Sequence, residues 1–267
     1  MTRIQQVAAF RALHVPGQPL IMPNPWDLGS AKLMIAAGAK AIATTSSGFA
    51  FTLGLPDGGL VGRERSLAHA AALTGLGVPV SGDFENGFGT SPETVAETVR
   101  MAAEAGLAGV SIEDIDLPGD QAYPFNLAVE RIQAAVEAAR AVDIVLCARA
   151  DGWMTRAYDA AEAVRRCAAF AEAGAEVIYS PLVKADVVRE LTAIGPAVNV
   201  LTAGPMLEHS VGDIAAMGAA RISIGGSMAR VTHQAILDAT AALFGQGDLT
   251  PLKGAAKAPE IDAILGV

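Results

Sequence analysis

The chain has 267 residues, 52% hydrophobic and 18% charged, which is enough for one sizeable core. A formal charge of -9 with no Lys/Arg cluster excludes nucleic acid as the main partner, because phosphate binding needs a basic face. No apolar run reaches the ~20 residues of a bilayer span and the start MTRIQQVAAF lacks a signal-peptide core, so a cytoplasmic protein without membrane contact is expected.

In chain order, the first strand is expected near 20–23 and ends at Asn24. The phrase IAAGAKAIAT (35–44) then shows the unit that organises the chain: an alanine-rich helix stops at a glycine and passes within two or three residues into a short apolar strand. It recurs as AEAGLAGVSIED (103–114), AEAGAEVIYS (171–180) and AAMGAARISIG (215–225). Strands follow near 41–44, 78–83, 109–113, 144–149, 176–179, 197–201 and 221–224, with helical patterns such as 93–105, 127–140 and 159–173 between them.

The stretch 45–66 is too long for an ordinary connection, so it reads as a functional loop, and 114–125 is a smaller case that reads as a lid. Ser91, before Pro92, reads as a helix cap. Cys147 and Cys167 lack metal-ligand pairing and read as free buried thiols.

Eight strands alternating with helices predict an α/β fold, a (β/α)8 TIM-type barrel. The competitor is an open doubly wound sheet, which loses its main support because no GxGxxG follows the first strand. A single domain is expected, with the barrel over 1–245 and a tail over 246–267 packing on the barrel or on a neighbouring subunit of a homo-oligomer, dimer or tetramer.

In such a barrel the chemistry sits at the C-terminal strand ends. Those ends carry Asn24; Thr45, Ser46 and Ser47; Asp83 and Glu85; Glu113 and Asp114; Arg149 and Asp151; Ser180; Thr202; and Gly225 and Gly226. In SGDFENGFG (81–89), two carboxylates one residue apart would point the same way on an extended strand, so either the stretch is a water-exposed turn or a positive charge belongs between them. Hard oxygen ligands without histidine suit Mg2+ or Mn2+ better than Zn2+. Asp114 and Asp116, in a polar loop, read as solvated. Arg149 reads either as a site residue or as a structural ion-pair partner. His14, His69, His209 and His233 lie away from the strand ends and receive no catalytic role.

NPWDLGSA (24–31), TTSSGFAFTLGLPDG (44–58), GDFENGFG (82–89), GVSIED (109–114), ARAD (148–151) and RISIGGSMAR (221–230) together resemble the isocitrate lyase/phosphoenolpyruvate mutase superfamily over nearly the whole chain. The resemblance implies that Asp83 binds Mg2+ directly, Glu85 and Glu113 hold its waters, and Asp57 faces metal and substrate. It also implies that the backbone at Ser47, Gly48 and Phe49 receives a substrate carboxylate and that Arg149 stabilises a developing oxyanion. The implied enzyme is a Mg2+-dependent lyase that cleaves a C–C bond of a small 2-oxo or 2-hydroxy di- or tricarboxylic acid through a pyruvate-type enolate, by decarboxylation or retro-aldol reaction.

Departures narrow the choice. Isocitrate and methylisocitrate lyases carry a KKCGH-like segment where this chain has DIDLPGDQAYPF, and the phosphonate-handling members carry a histidine where this chain has Ser180. Phosphonopyruvate or phosphoenolpyruvate C–P chemistry remains an alternative, as do a Schiff-base aldolase using Lys184 and a non-catalytic oxo-acid binder.

Overall fold

The computed structural model describes residues 1–266. Helix α1 (Arg3–Ala12) precedes β1 (Leu20–Met22), α2 (Leu28–Ala36), β2 (Ile42–Ala43), α3 (Ser46–Thr52) and α4 (Arg63–Ala72). Then come β3 (Val80–Asp83), α5 (Pro92–Glu104), β4 (Gly109–Glu113), β5 (Ile115–Asp116), β6 (Gln121–Ala122), α6 (Phe125–Val142) and β7 (Val145–Arg149). The remainder is α7 (Ala160–Ala173), β8 (Val177–Tyr179), α8 (Ala185–Thr192), β9 (Ala197–Leu201), α9 (Val211–Ala216), β10 (Arg221–Ser223), α10 (Ser227–Gln246) and α11 (Ala258–Leu265).

Eight of these strands form one parallel sheet in the order β1-β10-β9-β8-β7-β4-β3-β2. The Ala43 N–H donates to Pro23 O across the seam between β1 and β2, which brings the two edges together as a barrel. The barrel is therefore the observed architecture, and the open sheet is excluded. The glycines of the repeated phrase explain the periodicity: Gly38, Gly106, Gly174 and Gly218 all have positive φ just past a helix end, where a Cβ would be strained. Ser91 caps α5 by accepting from the Thr94 N–H. No helix among the described residues is long and apolar enough to cross a membrane.

Two apolar layers hold the fold. Outside the strands, Phe84, Val99, Leu107, Ile112, Ile132 and Phe170 pack sheet against helices. Inside, α1 closes the N-terminal end of the barrel, with Val7 and Phe10 packed on Leu20, Val145 and Val177. Phe10 is fully buried, and a Cβ added at Gly109 would lie 2.5 Å from its ring, so the strand must approach the plug as bare backbone. Barrel interiors are usually filled by branched side chains. Here the inward positions Ala43, Ser81 and Ser111 are small, and they line a cavity that opens toward the C-terminal strand ends.

Two expectations are corrected, for 45–66 and for Asp114. The stretch 45–66 is not one long loop: its first part is helix α3, capped by Thr45, whose Oγ1 accepts from the Gly48 N–H. The segment 114–125 contains the antiparallel β5–β6 hairpin. Asp114 is not a solvated loop residue; it is 1% exposed and bonded to Arg166, Tyr158 Oη and the Asp151 N–H. Past Gln246 the chain returns to the barrel wall, where α11 packs on α2 and Leu265 O accepts from Lys32 Nζ.

The α1 plug should be a main stabilising element. Phe10→Ala should cost ~3–5 kcal/mol in equilibrium chemical denaturation, the range for truncating a fully buried aromatic residue. A loss below ~1 kcal/mol would make the plug dispensable.

Candidate active site

At the C-terminal mouth, the ladder register sets Asp83 beside Ser111 and Glu113 beside Arg149. Arg149 therefore rises among acids from three elements. Its Nη1 donates to Asp83 Oδ1 at 2.8 Å, its Nε and Nη2 grip the two oxygens of Asp151 at 3.1 and 2.5 Å, and its Nη2 lies 3.2 Å from Glu113 Oε2. Tyr179 lies against the guanidinium, 5.2 Å from ring centre to Cζ. A fork with fixed donor directions suits this bridging in a way an ammonium would not.

Asp83 also accepts from the Ser46 N–H at 2.9 Å and from Ser111 Oγ at 3.3 Å. With about four lone-pair directions on a carboxylate, it retains capacity for one further partner. Glu85 does not continue the strand. Its φ is +46°, so the backbone turns at that residue and the same-face argument from an extended strand does not apply. Its Oε1 accepts from the Gly59 N–H at 2.8 Å. Burial, together with the charges of Asp83 and Asp57, pushes its pKa up to about 7. Burial likewise raises Glu113 well above the carboxylate range, with Asp151 and Asp83 adding to the rise against the pull of Arg149. Asp57 stands at the rim, 3.5 Å from Ser46 Oγ, and its pKa is raised by desolvation and then by the charge of Asp83.

The cavity has two lobes that meet at Ser46, Asp57, Arg149 and Met154. The outer lobe is acidic, lined by Glu85, Glu113, Asp120 and Asp151, with Ile115 and Leu117 of the hairpin segment along one side. The inner lobe, about 240 Å3, has Asp57 and Asp83 at its upper part and is otherwise lined by hydroxyls, amides, the arginines Arg149, Arg221 and Arg230, and apolar residues such as Met22 and Leu201.

Of the residues implied to hold a carboxylate, Ser47 lines the inner lobe. The Phe49 N–H goes to Thr45 O, and its ring stacks on His69 at 3.9 Å, away from the inner lobe. Gly48 is needed for packing rather than for ligand approach, since a Cβ there would lie 2.6 Å from Thr45 Cγ2 and 3.1 Å from Trp26 Cβ. Lys184 is exposed at the start of α8 and lines neither lobe. Ser180 Oγ is committed to Ala150 O at 2.8 Å.

The donor set is all hard oxygen. Among the described residues no three acids lie close enough to hold one ion by themselves. Such a set fits Mg2+, which keeps several of its waters and takes one or two carboxylates directly.

The sequence model for phosphoenolpyruvate phosphomutase matches residues 10–244. The chain belongs to the isocitrate lyase/phosphoenolpyruvate mutase superfamily. A Burkholderia cenocepacia protein provisionally described as a lyase/mutase has 40% identity and a TM-score of 0.93, covering 99% of this chain and 97% of its own. The 2-methylisocitrate lyase of Escherichia coli is 34% identical and the 2,3-dimethylmalate lyase of Eubacterium barkeri 33%, each over 64% of this chain. The chain spans 60% and 62% of those two enzymes. As a member of this lyase/mutase superfamily, the protein is an enzyme.

Sequence reasoning placed Asp151 at a strand end without a role, and it passed over Tyr179. The alternation ARAD could have flagged Asp151 as the bidentate partner two residues from Arg149; nothing in the sequence marks Tyr179.

The protonation of Glu85 gives a test. Its pKa is about 7 in the folded chain against 4.5 as the ordinary value, so between those limits the folded state binds more protons than the unfolded one. Stability contributed by the proton is complete below 4.5 and is lost as pH rises through 7, by on the order of 3 kcal/mol. His14 and His69, pushed down by burial to about 3 and 4, act in the opposite direction below 6.5. The measurement is therefore the difference between wild type and Glu85→Gln in a chelator-containing buffer: the wild type should lose stability relative to the variant from pH 5 to pH 8. Parallel curves would contradict the assignment.

Proposed function

We propose that the protein is a Mg2+-dependent carbon–carbon lyase that acts in the cytoplasm on a small 2-oxo or 2-hydroxy acid with more than one carboxylate. The observation that carries this reading is the excess of desolvated carboxylates around one guanidinium. Glu85, Glu113 and Asp57 all have raised pKa values, which is the condition a bound cation would relieve. Asp83 would hold the metal directly, and Glu85 and Glu113 would hold its waters. Bound there, Mg2+ would act as a Lewis acid toward the substrate's carboxylate and keto oxygens.

The remaining steps belong to the chain's own residues. Ser47, at the start of α3 and lining the inner lobe, would receive the carboxylate next to the keto group. Arg149, held by Asp151 and backed by Tyr179, would donate to the keto oxygen as the neighbouring C–C bond breaks and charge develops there. Glu113, whose pKa burial raises, stands beside Arg149, where it would exchange a proton more readily than an exposed carboxylate. The β5–β6 hairpin segment and the wall of the outer lobe would limit water around the charge that develops. Lyases among the relatives support C–C cleavage, and the commitment of Ser180 Oγ to the main chain speaks against C–P chemistry at that position.

Oxalate tests this reading, because its two oxygens can chelate one metal as a pyruvate enolate would. With Mg2+ at ~100 times its Kd it should stabilise the fold by ~2.7 kcal/mol. That raises Tm by roughly 5–10 °C for a domain of this size. The rise should vanish with chelator and in Asp83→Asn. Equal stabilisation with and without chelator would refute metal dependence.

We also propose a homo-oligomer. Helix α10 has twenty residues and buries one, Ala229, while Val231, Ile236, Leu237 and Phe244 are 58–82% exposed. Apolar side chains exposed around so much of one helix need cover, and a second copy provides it. Light scattering should give a dimer or tetramer, and Leu237→Asp with Phe244→Asp should shift it toward monomer. A wild type monomeric at micromolar concentration would refute this.

A further inference from the structure

The inner lobe reaches below the plane of Arg149, and a second arginine stands at its base. Arg221 opens β10, in register with Leu20 on one side and Asn199 on the other. It is 3% exposed and lines the cavity. Its Nε donates to Asn199 Oδ1 at 2.9 Å, its Nη2 to Cys147 Sγ at 2.9 Å, and its Nη1 lies 3.3 Å from His14 Nε2.

None of these partners carries a countercharge. Burial lowers the His14 pKa to about 3, and burial raises the Cys147 thiol, so both are neutral near pH 7. Among the described residues no carboxylate lies within ion-pair distance of Arg221, unlike Arg149 with its three acids and Arg166 with Asp114 and Glu162. Arg131 is also buried without an acid, but it donates to the main-chain carbonyls of Asn86, Gly89 and Thr90 and sits outside the cavity. A buried cation facing neutral groups is costly unless something anionic joins it. Of the five N–H groups of a guanidinium, three are engaged and two remain for a ligand.

We infer that Arg221 reads a second carboxylate of the substrate, which extends from the catalytic mouth down the inner lobe to the base of the barrel. The dimensions agree. Cys147, which Arg221 touches, is two residues below Arg149 on the same strand, or ~7 Å. A short dicarboxylic 2-oxo or 2-hydroxy acid spans that interval. Small inward side chains at Ala43, Ser81 and Ser111 leave the passage open, and Asn199, bonded to both Arg221 and Ser223 Oγ, fixes the guanidinium plane. Arg230 also lines the cavity, but it is exposed at the mouth, where solvent screens it. The placement of the near end of the substrate rests on the proposed function; the charge at the far end does not.

Binding of racemic malate, its 4-amide malamate and oxalate, measured by calorimetry with Mg2+, tests the assignment. Wild type should prefer malate to malamate by at least ~10-fold, since the two differ by one charge at the far end. Arg221→Met should abolish that preference and weaken malate ~10–100-fold, the range for losing a charged partner in a buried site. Oxalate, which does not reach the base, should bind Arg221→Met within about three-fold of wild type on the same reasoning.

Equal wild-type affinity for malate and malamate, or binding of neither, overturns the assignment even if Arg221→Met fails to fold. So does a malate preference that survives in Arg221→Met, and its loss in Arg230→Met instead would move the subsite to the mouth. An equal fall in malate and oxalate would make Arg221 a structural residue and likewise overturn it. A preference that depends on Arg221 in a protein that ignores oxalate and Mg2+ would uphold the subsite while refuting the metal reading.

Discussion

The geometry of the catalytic mouth depends on one buried guanidinium. Arg149 ties the ends of β3, β4 and β7 together through Asp83, Glu113 and Asp151, and Asp83 is held again by the Ser46 N–H and Ser111 Oγ. Asp151 gives its N–H to Asp114, and Asp114 is clamped by Arg166 of α7, which also holds Glu162. Alternating charge thus runs from the cavity to the outer helical layer. Removing any one member strands another in a medium that solvates it poorly, which is why such networks hold their parts in place even where their net contribution to stability is small. Arg149 does not balance the acids completely. Burial, with repulsion from neighbouring acids added to it, raises the pKa values of Glu85, Glu113 and Asp57, a pattern associated with functional sites more than with fully compensated structural networks.

The barrel contributes placement. Parallel pairing fixes which strand ends stand side by side, and the alternation of inward and outward residues decides which side chains meet. Positions that most barrels fill with branched residues are here alanine, serine or glycine. The space that results carries function at the expense of packing, and the fully buried Phe10 and Val7 of α1 recover apolar contact at one end.

Much of this was legible in the sequence, for identifiable reasons. The helix–glycine–strand phrase survives as a pattern because each glycine meets a local backbone demand that no other residue meets as cheaply. The acids at successive strand ends could be read because one strand-end rule applies to all of them. What escaped was set by long-range contact. Asp114 looks solvated until Arg166, fifty-two residues later, is folded against it. Glu85 can be read as the continuation of a strand although Asn86-Gly87 signals a turn, because the residue at which the backbone turns left-handed is not fixed by that signal. Phe49 belongs to a recognisable motif, yet its main-chain donor is spent inside a short helix. Arg221 sits within RISIGG, where an inward strand position reads as core, and its lack of a countercharge becomes visible only when its three neutral neighbours are assembled.

The plug at the N-terminal end has a kinetic consequence. Phe10 and Val7, fully buried, close that end, so passage is through the mouth at the C-terminal strand ends. A reaction that splits one molecule into two must then discharge both fragments along the path by which their parent arrived. The fragment lodged deeper waits for the shallower one, so depth in the barrel becomes sequence in time. In the reverse direction the same depth dictates which of the two reactants docks first.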